Sequence, residues 1–328
     1  MARLPHRVLE NRGIGAWMVA LVVVIAVVNG ARTIARAPFT LARASSAGAW
    51  ARREIKVLAV TIAAGSALTI PLYALLRSTP HWWLPGWLLF VVVTVVGQLA
   101  MPLTMRAQAG PLEPADHDLA QRVVALGTRA GVDVGGGVLV AAGKGDGKQG
   151  KEGKHCNAYV VGLGATRRVV LGGAVAAWPA EVCDQVVAHE LAHWRLGHGA
   201  RRLPLTFVVQ FATFALAALV LSWSPLLGWG GVASAGDPRS YPLLLILTAA
   251  LTLPARLLLA GVDRSQERAA DEFALTLLQQ PRQFAEMLDR AADEGNAPRQ
   301  LPWYRRAIAS HPPIDERLLA CTQFASTA

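Results

Sequence analysis

The stretch that decides the fold is His189-Glu190-Leu191-Ala192-His193, which continues as Trp194-Arg195-Leu196-Gly197-His198. It lies within residues 179–202, which predict one helix because Pro179 suits a first helical position and two arginines close the last turn. Residues four positions apart on a helix share a face. The imidazoles of His189 and His193 can therefore bind one ion.

This pattern is suited to activating a water molecule on zinc. Imidazole nitrogens are good Zn²⁺ ligands, and a catalytic zinc takes three protein ligands plus a water. Glu190, next to the first histidine, can take a proton from that water, whose pKa the metal lowers to about 7. The H-E-x-x-H spacing thus predicts a metalloprotease arrangement. The alternative is a chance match on a buried helix. The other segments of the chain must distinguish these two interpretations.

The composition points to a membrane protein. The chain is 53% hydrophobic and only 16% charged, whereas a soluble domain carries about 25% charged residues. The net charge of +10 resides mostly in arginines between apolar runs, which is typical of segments beside an anionic membrane. No nucleic-acid-binding module is recognisable, so we expect no nucleic-acid partner. The three cysteines form no CxxC pair and fit free thiols.

About five apolar segments are long enough to cross a bilayer. They lie near residues 14–30, 57–76, 85–105, 203–223 and 241–262. The alternative for the first is a signal peptide, which is disfavoured because cleavage would export a strongly basic stretch. Arg256 interrupts the last segment. It is either a functional intramembrane charge or, as we expect from its place near the helix end, a side chain that reaches the interface.

Residues 106–202 are richer in charge and predict a water-exposed domain. A helix is expected at 118–130 and strands at 132–142, 156–163 and 168–171, with a Gly/Lys loop at 143–154. We therefore divide the chain into four parts. These are an N-terminal membrane region (1–105), a catalytic domain (106–202), two transmembrane helices (203–262) and a segment with a second metal-ligand helix (263–328).

The basic loops predict the orientation. With five spans, the basic stretches 32–56, 106–202 and the tail after 262 share one side, which the positive-inside rule assigns to the cytoplasm. The basic N-terminus would then face outward against the rule, so either the first segment is not a span or the larger loop dominates. We expect a multi-pass protein of the cell membrane with a cytoplasmic catalytic domain.

A second helix is expected to begin at Asp263, and it supplies candidate acidic groups. Glu267 and Asp271 lie four positions apart on one face. Glu267 can give zinc its third ligand while Asp271 orients a ligand histidine. The alternative is a solvated acidic face, which would include Glu272 as well. Spacing alone leaves both interpretations open.

Four motifs in this order resemble the Ste24-type CAAX prenyl proteases and their HtpX-type relatives, which are integral-membrane zinc metalloproteases. The motifs are the zinc helix at 189–198, Arg264-x-x-Glu267-x-x-Ala270-Asp271, Asn157-Ala158-Tyr159 followed by the strand ending Arg167-Arg168-Val169-Val170-Leu171, and His311-Pro312-Pro313 with Glu316-Arg317-Leu318. They fall within roughly residues 85–320. Two departures stand out: Asp263 replaces the usual Ser or Asn, and Ste24 enzymes have seven spans around a chamber rather than five.

The resemblance implies a set of site residues. It implies one zinc ion per chain, bound by His189, His193 and Glu267, with Glu190 as base and Asp271 in support. It also implies that Asn157, Ala158 and Tyr159 line the cleft and pair with substrate, and that His311 and Arg317 lie near the metal. Either of the last two could stabilise the oxyanion; the alternatives are a loop residue for His311 and a surface charge for Arg317.

We therefore expect a mainly α membrane protein with a zincin-like α+β catalytic domain that carries a small β-sheet. The expected function is zinc-dependent hydrolysis of peptide bonds in an extended peptide or membrane-protein segment. A site-2-type intramembrane protease is disfavoured by the charges that flank the motif. An inactive zinc-binding scaffold or receptor is disfavoured by Glu190. His198 does not fit the metzincin pattern, which needs Gly at 196 and His at 199, so we expect it at the helix end, favoured by the dipole. The sequence predicts no oligomeric state.

Overall fold

The computed structural model describes residues 47–109, 112–135, 137–141, 158–161, 168–229, 231–237, 240–295 and 298–327. The first apolar segment, the whole Gly/Lys loop and Asn157 lie outside these ranges. Two compact units are distinguished, Met1–Val92 with Gln210–Thr252 and Val93–Val209 with Leu253–Ala328. The described residues are mainly helical with a small mixed sheet, which confirms that part of the predicted fold class.

The described elements follow in chain order. The helices are α1 (Ala47–Ser78), α2 (Trp83–Ala109), α3 (His117–Ala130), α4 (Gly173–Ala176), α5 (Ala180–Arg195), α6 (His198–Leu221), α7 (Ser224–Trp229), α8 (Ser240–Leu278), α9 (Pro281–Gly295), α10 (Trp303–Ile308) and α11 (Ile314–Thr327). The strands are β1 (Leu112–Pro114), β2 (Val138–Ala141), β3 (Ala158–Val161) and β4 (Arg168–Gly172).

Two of the described helices are long and apolar enough to cross a membrane. They are α6 and the Leu243–Leu278 part of α8. Both overlap with segments that the sequence predicted as spans, 203–223 and 241–262. The second and third predicted segments lie within the helices α1 and α2. The total of five spans and the cytoplasmic orientation stay predictions.

The unit that contains α1 has an apolar core built on aromatic contacts. The ring of Phe211 lies 5.5 Å from Trp83 and 5.2 Å from Trp87, in edge-on geometry at both. Tyr73 and Tyr241 form a similar pair at 5.3 Å. Such pairs add about 0.5–1.5 kcal/mol beyond the area they bury.

The other unit contains the sheet, in the order β1-β2-β4-β3. β2 and β4 are parallel, and the two outer pairs are antiparallel. The strand β1 was not predicted because it is three residues long and ends in Pro114; proline is tolerated there since β1 lies at the edge. The predicted strand 132–142 was too long. Gly131 adopts a left-handed φ of 67° and Val132 N–H donates to the carbonyl of Gly127, so this stretch begins by capping α3.

The predicted single helix over 179–202 is wrong. α5 ends at Arg195, Gly197 has a φ of 65°, and α6 begins at His198. A left-handed glycine ends one helix and redirects the chain. The reverse holds near residue 263, where the fifth predicted span and the second metal helix form one uninterrupted helix, α8.

The core around α5 fixes the H-E-x-x-H helix. Val187 and Leu191 of this helix are fully buried, as are Leu171 on β4 and Phe284 and Leu288 on α9. Each such side chain contributes about 1.5–3 kcal/mol by burial. The opposite face of α5 is left to carry the polar groups of the site.

Candidate active site

Three side chains from two helices converge on one point. His189 Nε2 lies 3.2 Å from His193 Nε2, and the Glu267 carboxylate oxygens lie 3.5 Å and 3.4 Å from these two nitrogens. Zinc bonds of 2.0–2.1 Å in tetrahedral geometry put neighbouring ligand atoms about 3.3 Å apart. The donor set therefore fits a zinc ion in both chemistry and spacing. Within the described residues, these three form the one group of this kind.

Each ligand is placed by its helix. α5 presents His189 and His193 on one face, and α8 brings Glu267 from the other side. Glu267 is only 7% exposed and His189 9% exposed. Burial of a carboxylate is costly unless it is paired, so its place beside two imidazoles suits a ligand.

His189 is supported by an acidic group on α8. Asp271 Oδ1 lies 2.9 Å from His189 Nδ1, although the ring N–H does not point straight at it. Arg317 of α11 donates two hydrogen bonds to the Asp271 carboxylate, at 2.7 Å and 2.6 Å. With Nδ1 facing a carboxylate, the Nε2 lone pair is directed to the metal position.

His193 is supported by His198, which the sequence analysis placed at the end of a helix. His198 Nδ1 lies 2.8 Å from His193 Nδ1, and His198 is 5% exposed. If His193 Nε2 binds a metal, Nδ1 carries the hydrogen and donates it to His198. The expectation that His198 ends a helix is wrong, because it starts α6. The signal that could have revealed this is Gly197, a residue typical of helix ends.

Burial and charge shift the acidities of the site. Burial raises the pKa of Glu190 to about 7, so this carboxyl exchanges its proton near neutral pH. Burial, together with the charge of His189, lowers the pKa of His193 to about 4. Burial acts in the same direction on His189, but the contacts with Asp271 and Glu267 prevail and raise its pKa to about 9.

A cleft of about 530 Å³ opens in front of these groups. His189, Glu190, Glu267 and Arg317 line its polar side. Its apolar side comprises Val175, Trp178, Val186, Met287, Ala291 and Leu301. The cleft is large enough to hold part of a peptide rather than a single water.

The remaining predicted residues lie at different distances from the centre. His311 Nδ1 is 2.7 Å from Glu267 Oε2, with its side chain 65% exposed. Ala158 on β3 lines the cleft, whereas Tyr159 is half-buried on the same strand and is not part of the lining. Asn157 lies outside the described residues.

The acidic residues of α8 are not one solvated face. Asp271 is 5% exposed, as buried as Glu267, whereas the adjacent Glu272 is exposed. Arg317 is also largely buried, with its side chain 12% exposed. The two buried acids thus share the side of α8 that faces α5, and Glu272 faces away.

Two contacts were not predicted. Asp263 pairs with Arg202, with the Arg202 Nε 2.5 Å from Oδ1. Arg264 Nη1 donates to the carbonyls of Arg306, Ala307 and Ala309, at 3.1, 3.0 and 2.8 Å. This arginine therefore holds the chain immediately before His311. Neither pairing follows from spacing, since the partners are far apart in sequence.

The sequence profile of peptidase family M48 matches residues 143–324. This range covers more than half of the chain and contains every group of the site just described. The chain belongs to peptidase family M48. The predicted resemblance is thereby confirmed.

Curated proteins similar to this M48 chain support the assignment. The CAAX prenyl protease 1 homolog of Dictyostelium discoideum is 26% identical over 213 residues, 64% of this chain and 49% of the relative. The Caenorhabditis elegans homolog of the same name is 25% identical over 297 residues, 79% and 65% of the two chains. The Protease HtpX homolog of Acaryochloris marina (strain MBIC 11017) is 31% identical over 145 residues, 43% and 47%. The M48 chain spans about half the length of the first of these.

A solved structure shares the fold of this M48 chain. The crystal structure of S. mikatae Ste24p superposes with a TM-score of 0.68 over 90% of this chain and 74% of that chain, at 18% identity. At this identity the likeness concerns the fold alone.

Proposed function

We propose that this M48 peptidase is an integral-membrane, zinc-dependent endopeptidase. The observation that carries the proposal is the triangle of Nε2, Nε2 and carboxylate oxygen, with edges of 3.2–3.5 Å, in a cleft that also contains Glu190. His189, His193 and Glu267 would hold one zinc ion. A nucleophilic serine or cysteine is not needed for this chemistry.

The reaction is hydrolysis of a peptide bond. Bound zinc supplies Lewis-acid polarisation of the scissile carbonyl and an acidified water. Glu190 takes the proton of the attacking water and passes it to the leaving amine. Burial raises the pKa of Glu190 to about 7, and the charge of a bound zinc ion would lower it again, so the carboxylate that accepts the proton is available at neutral pH. His311 and Arg317 both line the cleft. His311 is the better placed of the two candidates for the oxyanion, because its side chain is 65% exposed and that of Arg317 only 12% exposed.

An extended substrate is expected to add to the sheet. In the described part of the chain, β3 pairs with β4 along one side and lies at the sheet edge on the other. Such an edge binds a peptide backbone through main-chain hydrogen bonds. Ala158 would then sit beside the scissile bond, with Tyr159 next to it on the same strand and Asn157 directly before it in sequence. The substrate is a peptide or a segment of a membrane protein.

The membrane location rests on composition. α6 and α8 each provide a long apolar stretch, and the excess of arginine outside the apolar segments favours a cytoplasmic catalytic side. A zinc-binding scaffold without catalysis would share the ligand set. Glu190 distinguishes the two functions, because a scaffold does not need a general base.

The test replaces Glu190 by glutamine in the purified full-length protein. Glu190→Gln should keep one zinc per chain by metal analysis and lower cleavage of a fluorogenic peptide library by about 10²–10⁴-fold, since the general base is lost. Glu181→Gln, an exposed acid on the same helix, is the matched control and should leave the rate unchanged. Full activity in Glu190→Gln would end the mechanism.

A further inference from the structure

An ion pair between the start of α6 and the middle of α8 marks one level of the molecule. Arg202, near the start of α6, forms two contacts with Asp263 of α8, at 2.5 Å and 3.3 Å. The α8 residues before Asp263 are mostly apolar. Charged groups are costly inside the hydrocarbon of a bilayer. The ion pair therefore places the edge of the hydrocarbon close to Asp263.

Arg264 connects the short helix α10 to this level. One of its guanidinium nitrogens donates to three carbonyls at the end of α10, those of Arg306, Ala307 and Ala309. Arg264 directly follows Asp263 in sequence. The end of α10 thus lies within the length of one arginine side chain of the membrane surface.

The sequence of α10 is amphipathic. At 100° per residue, its apolar side chains fall within an arc of about 140°; they are Trp303, Tyr304, Ala307 and Ile308. None of the residues of α10 is buried. Trp303 is 82% exposed, Tyr304 53% and Ile308 38%. Large apolar side chains are thus displayed on a helix that the described residues leave uncovered.

The arginines of α10 border this arc. Arg306 Nη2 binds Glu316 at 2.6 Å, and Arg268 binds the same carboxylate at 2.8 Å. The Arg306 side of α10 therefore faces the protein, and the apolar arc points away from it. Arg305 lies at the other border of the arc and is exposed.

Exposed tryptophan and tyrosine beside arginine are typical of segments at the membrane–water interface. We propose that α10 is an interfacial helix that docks into the headgroup region of an anionic membrane leaflet. Trp303, Tyr304 and Ile308 contact the upper acyl chains, and Arg305 binds lipid phosphate. This inference rests on the membrane location given under the proposed function and assigns a lipid-binding surface outside the spans.

The docked helix forms the rim of the catalytic cleft. Leu301 on one side of α10 and Ala309 on the other both line that cleft. A rim anchored at the interface places the mouth of the cleft beside the lipid headgroups. Substrate segments then enter from the membrane surface, so bonds close to a membrane anchor are the ones presented to Glu190.

The test measures lipid contact with an environment-sensitive NBD label in the full-length protein, reconstituted in vesicles of phosphatidylcholine and phosphatidylglycerol. Labels are attached in turn through Trp303→Cys and Ile308→Cys, the second of which keeps Trp303 intact. The background carries Cys156→Ser. Cys183 and Cys321 are buried, and burial raises the pKa of both thiols to about 11, so they do not compete for the label.

Two matched positions on α8 provide the controls. Leu258→Cys lies within the apolar part, where the side chain is 56% exposed. Thr276→Cys is an exposed position about 18 Å beyond Arg264 along the helix axis. Quenching is read with lipids that carry a nitroxide just below the headgroup and, separately, deep in the acyl chain.

The docked helix predicts that the shallow quencher acts on labels at 303 and 308 at least about twofold more strongly than on the label at 276. The deep quencher should act most strongly at 258. If the label at 258 is quenched but the labels at 303 and 308 are quenched no more than the label at 276, the docking is wrong and the membrane location stands. Absence of quenching at 258 overturns the membrane location and the docking with it.

Discussion

The two imidazoles of the site are neighbours on one helix but are held by different regions of the molecule. His189 faces Asp271, which Arg317 fixes by two hydrogen bonds, so its support comes from α8 and α11. His193 faces His198, only five positions along the chain, across the turn at Gly197. One support is charged and distant in sequence, whereas the other is neutral and local.

The difference indicates that the two histidines contribute differently to zinc binding. A carboxylate partner strengthens an imidazole as a ligand more than a neutral ring does, because its charge raises the basicity of the metal-binding nitrogen. The side chain of His189 is 11% exposed and that of His193 27% exposed. We therefore expect the His189 side to contribute more to zinc affinity, and the His193 side to contribute chiefly orientation.

The largest effect is expected from the ligand that the two sides share. Glu267→Ala removes the only carboxylate of the triangle and should lower zinc affinity by more than about 100-fold, above the range for supporting residues. The measurement is zinc content of the purified variant by metal analysis. Ser265→Ala, an exposed position on the same helix, is the control. An unchanged zinc stoichiometry in Glu267→Ala would exclude this residue as a ligand.

A smaller effect on zinc affinity is expected for Asp271, the charged partner of His189. Asp271→Asn should weaken zinc binding by about 10–100-fold, measured by competition with a chromogenic chelator. It should also lower the free energy of unfolding by about 3 kcal/mol, because Arg317 loses its buried partner. Glu272→Gln, the adjacent exposed acid, should change neither quantity. Equal effects of the two substitutions would mean that Asp271 acts through net charge and not through its contact with His189.

The smallest effect on zinc affinity is expected for His198, the neutral partner of His193. His198→Leu should weaken zinc binding by about 10-fold, since His193 loses its acceptor. His198→Asn should recover most of the affinity, because its side-chain oxygen can accept the same hydrogen bond. The chelator competition is repeated, and thermal unfolding without metal is the control for packing. A larger loss in His198→Leu than in Asp271→Asn would invert the comparison.

Much of the site could be predicted from the sequence because its residues occur at short intervals along single helices. The four-residue intervals of His189–His193 and Glu267–Asp271 each place two groups on one helix face, whatever the rest of the fold does. The contacts that join different segments were not accessible in this way. Arg317 binds Asp271 across 46 positions, and only the packing of α8 against α11 decides that pairing.

Element boundaries show the same division. The break in the 179–202 helix was missed because the residues before and after Gly197 are all compatible with a helix. The continuity of α8 was missed for the opposite reason, since the charges from Asp263 onward suggested a new element. In our proposal, charge there marks the edge of the membrane, and the helix itself continues because its backbone hydrogen bonds do not depend on the solvent.

The turn at Gly197 has a consequence for engineering and for natural variation. Apart from its neighbours along the chain, no heavy atom of the described residues lies within 4 Å of the position that a β-carbon would take there, so space permits alanine. The backbone does not, since a left-handed φ costs other residues roughly 1–2 kcal/mol. The usual gain from replacing glycine to stiffen a chain is thus reversed at this joint. Alanine at this position would therefore lower stability and would also disturb the contact between His193 and His198 across the turn.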